Sequence, residues 1–91
     1  MAVLLGIDVG TTNWKVAAFN EAGSLLSIRK TPTITRYDEE GMGYYDPEEI
    51  WESIARLLRE TTEVLAGRSV DAVAVTSMAE SVMAVDGSGK C

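Results

Sequence analysis

The sequence predicts an α/β domain in which a mixed sheet carries a helix on one face, with its elements in the order βββαββ. Three observations lead to this prediction. Short runs of branched and aliphatic residues alternate with turn residues over the first third of the chain, a pattern typical of an antiparallel meander. A strong helix-start signal follows at Asp46. Another apolar run comes after that helix, and a helix between two strands implies a mixed sheet with one covered face.

The meander is predicted from three strand-like segments. Val3–Val9 is mostly branched and aliphatic, so we expect a central strand that is buried on both faces. Residues 14–19 have strand character again after a break at residues 10–13. A cluster of turn residues at 20–23 separates them from a more amphipathic third strand at 24–31.

A helix is predicted to begin after Asp46. The Asp46 carboxylate can accept hydrogen bonds from free backbone N–H groups, and Pro47 suits the first helical position. Glu49 lies three residues after the cap, so its carboxylate can reach back in a capping box. Gly67 is expected to end the helix, because glycine tolerates a positive φ. Apolar residues at helical spacing predict one buried face, formed by Ile50, Trp51, Ile54, Leu57, Leu58, Thr61 and Leu65.

The remaining segments are predicted from composition. Residues 32–45 contain Pro, Gly, Tyr and acidic residues, and their apolar residues follow neither the helical nor the strand period. We therefore expect a long loop, and such loops are often functional or mobile. Residues 70–75 are apolar and predict a buried strand. Residues 81–85 are the candidate for a last strand, and residues 86–89 for the turn that follows it.

Composition excludes several classes of function. The chain has 8 Lys+Arg against 14 Asp+Glu, a formal charge of -6, so we expect no basic patch for nucleic acid or for an anionic membrane. It has no His, and its one Cys is Cys91, which excludes histidine chemistry and a cysteine-cluster zinc site. No apolar run reaches the roughly 18 residues of a membrane span. We therefore expect a cytoplasmic protein with no nucleic-acid or membrane partner.

The first candidate site is the segment 6–13. Asp8 lies near the end of a predicted buried strand, where an unpaired carboxylate is unfavourable. Residues 10–13, which we call the Gly10 turn, carry backbone N–H groups and hydroxyls that can bind a phosphate. Asp8 can hold a hydrated Mg²⁺, since this ion prefers oxygen ligands and keeps its waters. The alternative is a plain hairpin turn in which Asp8 caps backbone groups, and the residue types leave both interpretations open.

The second candidate site is the polar segment 76–81, which follows an apolar strand. Ligands tend to bind at the strand ends of open sheets. The Glu80 carboxylate can accept hydrogen bonds from substrate hydroxyls, and Ser77 and Ser81 can add polar contacts. The alternative is a polar turn between two strands, with Met78 in the core. Trp14 also has two interpretations, because it can shield the phosphate site or pack on the sheet.

Three segments, in the same order along the chain, resemble the FGGY carbohydrate kinases of the actin-like, Hsp70-like and hexokinase-like ATPase superfamily. Segment 6–15 is similar to the first phosphate motif of that superfamily, a β-hairpin that contacts ATP. Segment 45–51 is similar to the opening of the family's first helix. Segments 73–81 and 85–89 are similar to the strand–loop–strand that holds the sugar. The resemblance implies an incomplete ribonuclease H-like domain over residues 1–91.

The resemblance also implies roles for individual residues. Asp8 matches a catalytic aspartate that acts near the phosphates and holds Mg²⁺ through water. The ATP-binding residues match Gly10, Thr11, Thr12, Asn13 and Lys15. The substrate-binding residues match Ser77, Met78, Ala79 and Glu80. Glu80 falls where glycerol kinases carry a polyol-binding glutamate, but Met78 and Ala79 replace side chains that other members use, which leaves the sugar undetermined.

The implied function is transfer of phosphate from ATP, with Mg²⁺, to a hydroxyl group of a small sugar or polyol. Members of the family are several times longer, so the resemblance implies an N-terminal part of such an enzyme that is inactive by itself. One sheet face and one sheet edge would then lie bare. We therefore expect the 91 residues to self-associate through sheet edges or the bare face, or else to be only partly ordered. A homodimer is the candidate state of the longer enzyme. The alternative function is a non-catalytic, ATP-regulated binding or scaffold protein of the same fold.

Overall fold

A four-stranded mixed sheet with a helix on one face forms the body of the molecule in the computed structural model, which describes residues 2–78 and 84–90. In chain order, the elements are β1 (Val3–Val9), β2 (Asn13–Asn20), β3 (Leu25–Pro32), β4 (Arg36–Tyr37), β5 (Gly43–Tyr44), α1 (Pro47–Val64) and β6 (Ala72–Ser77). The sheet order is β3-β2-β1-β6, with β1–β2 and β2–β3 antiparallel and β1–β6 parallel. The predicted meander and mixed sheet are confirmed. The strand predicted at residues 81–85 lies largely outside the described residues.

Three turns share the same hydrogen-bonding chemistry. At Asn20, Asp38 and Asp86, the side-chain Oδ1 atom accepts hydrogen bonds from the backbone N–H groups two and four residues later, at 2.9–3.0 Å. The glycine three residues after each of them has a φ of 82–84°, a conformation that glycine adopts without steric cost. Between β2 and β3 and between β4 and β5, this is the turn of a three-residue hairpin loop that ends in a left-handed residue. The turns predicted at 20–23 and 86–89 are confirmed.

The stretch 32–45 is not the irregular loop that its sequence predicts. It contains the short β4–β5 hairpin, whose strands are two residues long and therefore too short to show a period. The Arg36 guanidinium binds the Glu49 carboxylate with two hydrogen bonds, one of them from Nε to Oε1 at 2.9 Å. This ion pair ties the hairpin to the first turn of α1. The predicted capping box is therefore wrong, because Glu49 binds Arg36 instead of reaching back to the cap.

The ends of α1 follow their sequence signals in part. The Asp46 side chain accepts a hydrogen bond from the Glu48 N–H at 2.9 Å, and Pro47 occupies the first turn, as predicted. Gly67 has the expected positive φ of 83°. Ala66 before it also has a positive φ, of 53°, so the left-handed backbone at this end of the helix begins one residue before the glycine.

The core lies between α1 and the sheet: the helix packs most closely on β2 and β3, and side chains of β1 complete the core. Trp14 is fully buried, so it packs on the sheet, which settles the question that the sequence left open. The two core clusters consist of Trp14, Val16, Ile54 and Leu57, and of Val3, Leu5, Ala18 and Leu65.

One side chain of α1 and two strands of the sheet are more exposed than their sequences predict. Trp51, predicted in the buried face, is 66% exposed. β1 buries residues on one face only, and β6 is exposed along its whole length, so both predictions of fully buried strands are wrong. The reason is that α1 covers β2 and β3 and leaves β6 open. Across the described ranges, no helix is long and apolar enough to cross a membrane.

Candidate functional site

The two candidate segments lie side by side at one edge of the sheet. β1 leads into the Gly10 turn, and β6 runs parallel to β1 with Asp8 opposite Thr76 and Val9 opposite Ser77. The Met78 N–H donates to the Val9 carbonyl at 3.0 Å. The start of the segment 76–81 is therefore held beside the Gly10 turn, at the carboxyl ends of two parallel strands, where open α/β sheets bind ligands.

Asp8 and Lys15 face each other on the sheet face that α1 does not cover. They are cross-strand partners, with 3.6 Å between Asp8 Oδ2 and Lys15 Nζ, and each side chain is 40% exposed. Together with Thr76 they line an open depression of about 350 Å³. Small residues form its floor: Gly6, Ala17 and Ala74. Both charges of the pair are therefore accessible from solvent and free to meet a ligand.

Three of the four carbonyl groups of the Gly10 turn accept hydrogen bonds, whereas the amides of Thr11 and Thr12 are free. The Gly10 N–H donates to the Asn13 carbonyl at 3.0 Å. The Thr33 hydroxyl donates to the Gly10 carbonyl at 2.8 Å, and the Thr33 N–H donates to the Thr12 carbonyl at 3.0 Å. The amides of Thr11 and Thr12 donate to no described residue, and both residues are exposed. Two neighbouring amides without an acceptor make such a turn suited to an anion.

Gly10 is required by the close approach of the two ends of the turn. A Cβ atom on this residue would lie 2.8 Å from the Asn13 carbonyl oxygen and 3.6 Å from Asp8 Oδ1. The first distance is shorter than a carbon–oxygen contact allows. Glycine therefore permits both the tight turn and the approach of its backbone to the Asp8 carboxylate.

The predicted substrate-binding residues are described only in part. Ser77 is exposed and ends β6, and Met78 is half-buried behind it. Ala79, Glu80 and Ser81 lie outside the described residues.

The donor set at the Gly10 turn fits a water-rich magnesium ion. Within residues 2–78 and 84–90, no three Asp, Glu, Cys or His side chains converge to form a metal cage. Asp8 offers a single accessible carboxylate beside the free amides of the turn. Mg²⁺ is typically held by one or two carboxylates together with the phosphates of a substrate, and it keeps several waters.

Thr33 and Thr76 belong to the site geometry but were not among the predicted binding residues. Thr33 is 23 residues away from Gly10 in the sequence, and it lies between two other threonines, Thr31 at the end of β3 and Thr35 in the same loop. No local signal distinguishes it. Thr76 lies within the candidate segment 76–81, and a parallel pairing of the two apolar strands brings their last residues together.

Comparison with protein-family models identifies one family over nearly the whole chain. A model of the N-terminal domain of the FGGY family of carbohydrate kinases matches residues 3–91. A glycerol kinase from Aquifex aeolicus (strain VF5) is 33% identical over 86 residues, which is 94% of this chain and 18% of that protein. The chain thus spans less than a fifth of the length of this relative.

Solved structures of sugar kinases share the fold. The ligand-bound xylulose kinase from Lactobacillus acidophilus superposes with a TM-score of 0.87 and 18% identity, over 99% of this chain and 18% of that one. The Plasmodium falciparum glycerol kinase with ADP superposes with a TM-score of 0.73 and 26% identity, over 85% of this chain and 16% of that one. The fold is that of the actin-like ATPases.

Proposed function

Because the chain belongs to the FGGY family of carbohydrate kinases, we propose that it forms part of the N-terminal domain of an ATP-dependent kinase that phosphorylates a sugar or polyol. In this reaction an acceptor hydroxyl oxygen forms a bond to the γ-phosphorus of ATP, and the bond between the γ-phosphorus and the β–γ bridging oxygen breaks. ADP leaves, and the hydroxyl proton passes to a base outside these 91 residues. Residues 1–91 supply the phosphate-binding turn and the start of the acceptor loop.

The observation that carries this proposal is the contact between the two candidate segments. The hydrogen bond from the Met78 N–H to the Val9 carbonyl holds the start of the segment 76–81, which we call the acceptor loop, next to the Gly10 turn. A phosphoryl transfer needs its acceptor hydroxyl and its γ-phosphate in line and within reach of each other. A phosphate on the turn and a sugar on the neighbouring loop would meet this requirement.

The Gly10 turn would bind phosphate oxygens through its free donors. The amides of Thr11 and Thr12 point at no acceptor among the described residues, and their hydroxyls are exposed beside them. Gly10 and Asn13 close the turn, and Lys15 adds a positive charge on the same hairpin. Fixed donors of this kind stabilise charge on a transferring phosphoryl group without reorganisation.

Asp8 would hold a hydrated Mg²⁺ through one of the metal's waters. Its carboxylate is accessible and lies beside the turn. When bound, the ion would neutralise the charge of the phosphates. Asp8 would also keep Lys15 oriented toward the site through their 3.6 Å contact.

Substrate binding is assigned to Ser77, Met78, Ala79 and Glu80. Ser77 is exposed at the end of β6, where a hydroxyl can reach a bound sugar. The proposed substrate class is a small sugar or polyol, in keeping with the glycerol and xylulose kinases that the chain is similar to.

We also propose that the isolated 91-residue chain self-associates through β6. Within residues 2–78 and 84–90, no strand pairs with the outer edge of β6; all six of its residues are exposed, and its sequence AVAVTS contains no charge and no Pro. Strand edges that carry no charge and no Pro pair readily with other chains. For the longer kinase, a homodimer is the state to test.

The kinase proposal is tested by ADP release from the full-length protein in the presence of MgATP and a panel of polyols, pentoses and hexoses. We expect release that depends on one or a few of these acceptors, and none from residues 1–91 alone, because both halves of such a site are needed to position and neutralise the phosphates. An acceptor-independent rate in the full-length protein would contradict the kinase proposal. Acceptor-dependent release that stays with residues 1–91 through purification would contradict the inactivity of the fragment.

A further inference from the structure

Thr33 holds the Gly10 turn from outside the β1–β2 hairpin. Its half-buried hydroxyl donates to the Gly10 carbonyl at 2.8 Å, and its backbone N–H donates to the Thr12 carbonyl at 3.0 Å. Thr33 directly follows β3, whose last residue pairs with Asn13. The turn is thus fixed by a residue that the chain brings back only after the third strand.

The hydroxyl bond determines the direction of one particular amide. A trans peptide is planar, and its C=O and N–H groups point in opposite directions. The Gly10 carbonyl points toward Thr33, so the Thr11 N–H in the same peptide points away from Thr33. The backbone bond of Thr33 acts on a different peptide, the one between Thr12 and Asn13.

The peptide between Gly10 and Thr11 has particular need of such a bond. Glycine is the residue with the greatest backbone freedom, and Gly10 has no side chain that could resist rotation of this peptide. The internal bond of the turn, from the Gly10 N–H to the Asn13 carbonyl, leaves the Gly10 carbonyl free. Among the described residues, the Thr33 hydroxyl is the group that binds it.

We propose that Thr33 is a positioning residue for phosphate binding: its hydroxyl orients the Gly10–Thr11 peptide so that the Thr11 amide faces a phosphate of ATP. This inference rests on the proposed kinase function and adds a residue outside the hairpin to the phosphate site. Its contribution is preorganisation, since a donor that is already aimed needs no reorganisation when the phosphate arrives.

Three variants of the full-length protein separate this role from a general structural one. Thr33→Val removes the hydroxyl donor and keeps the shape and the backbone N–H. Thr33→Ser restores the donor. Thr35→Val is the matched control, because Thr35 lies in the same loop, is exposed and makes no side-chain hydrogen bond to the described residues.

We expect Thr33→Val to lower kcat/KM for ATP on the order of ten-fold, since one aimed donor is lost. The KM for the sugar should stay unchanged, the unfolding midpoint should fall by no more than the loss of one half-buried hydrogen bond causes, and Thr33→Ser should recover most of both losses. A Thr33→Val enzyme that matches Thr35→Val in its ATP kinetics would overturn the proposal.

A second readout does not depend on catalysis. In protein labelled with ¹⁵N-threonine and titrated with inorganic phosphate, the Thr11 amide resonance should shift in the wild type and respond weakly in Thr33→Val. If the wild type transfers no phosphate to any acceptor, the kinase function fails, and the Thr11 titration still decides whether Thr33 orients this amide for an anion. An equal Thr11 response in both proteins would reject the role of Thr33 while leaving the kinase function standing.

Discussion

The Asp8 carboxylate and the Lys15 ammonium group face each other across the β1–β2 hairpin, 3.6 Å apart and equally exposed at 40%. An exposed ion pair of this kind contributes little to folding, typically about 0–1 kcal/mol. The contribution of the pair to folding is therefore too small to explain why two charged residues lie beside the Gly10 turn. Variants at Asp8 should report on function with little interference from stability.

Asp8→Asn should lower the kcat of the full-length kinase by a factor on the order of 10² or more, because the neutral amide loses the charge that acts in the transition state. The KM for the sugar should change little, and so should the free energy of unfolding. Steady-state kinetics and urea denaturation measure both effects. Glu21→Gln, the same charge change in the exposed β2–β3 turn, is the control. A near-normal kcat would contradict a role for Asp8 in phosphoryl transfer.

Gly10→Ala should destabilise the chain by about 1–3 kcal/mol, because the new methyl group would lie 2.8 Å from the Asn13 carbonyl oxygen and the turn must open. The same change should weaken phosphate binding in the titration described above. Gly6→Ala is the matched control for stability, since a Cβ atom there meets nothing within 4 Å. Urea denaturation of both variants checks the difference, and equal stabilities would show that the turn has room for a side chain.

Thr61→Val should stabilise the fold by about 1 kcal/mol. The Thr61 hydroxyl is fully buried and has no hydrogen-bond partner in the part of the chain that the structure describes. Replacing an unsatisfied buried hydroxyl by a methyl group removes its desolvation cost. Thr62→Val tests the specificity of this effect, because the neighbouring Thr62 hydroxyl is exposed and bonded to the Leu58 and Arg59 carbonyls. The free energy of unfolding should rise in the first variant only.

The Arg36–Glu49 ion pair should make the β4–β5 hairpin sensitive to acid. The hydrogen bond from Arg36 lowers the pKa of Glu49 in the folded state, so the pair stabilises the hairpin above the ordinary glutamate pKa. This stabilisation is lost as the pH falls through the lowered folded-state pKa. NMR titration should therefore show hairpin amides that change below about pH 4. The change should be absent in Glu49→Gln and present in Glu48→Gln, and a hairpin that behaves alike in all three proteins would rule out this anchor.

Local chemistry was predictable from the sequence, whereas long-range contacts were not. The cap at Asp46 and the turn at Asn20 depend on residues a few positions apart, so their signals are complete in the sequence. Glu49 has an equally good local signal for a capping box, but the structure offers it Arg36 from 13 residues away. An acid bound by two guanidinium donors is better satisfied than one that reaches back to a single N–H.

The other errors in the predicted fold concern how much of the sheet α1 covers. Trp51 has the spacing of a core residue, but α1 lies over β2 and β3. Trp51 instead lines an apolar groove with Val75 of β6. The helical period identifies a face of the helix, and it does not tell how much of the sheet lies beneath that face.

Val73→Lys should abolish self-association of the 91-residue chain. Val73 lies in β6 and is 55% exposed, and a lysine on an edge strand disfavours pairing with a second copy. Sedimentation velocity at micromolar concentration should show association of the wild type that increases with concentration, and a monomer for the variant. Val64→Lys, at the last residue of α1 and 51% exposed, makes the same change in the net charge of -6 and should associate like the wild type.

Amide exchange should locate the contact, with β6 amides protected in the associated wild type and unprotected in Val73→Lys. A wild-type chain that stays monomeric at all concentrations would show that the open edge of β6 does not recruit a second copy.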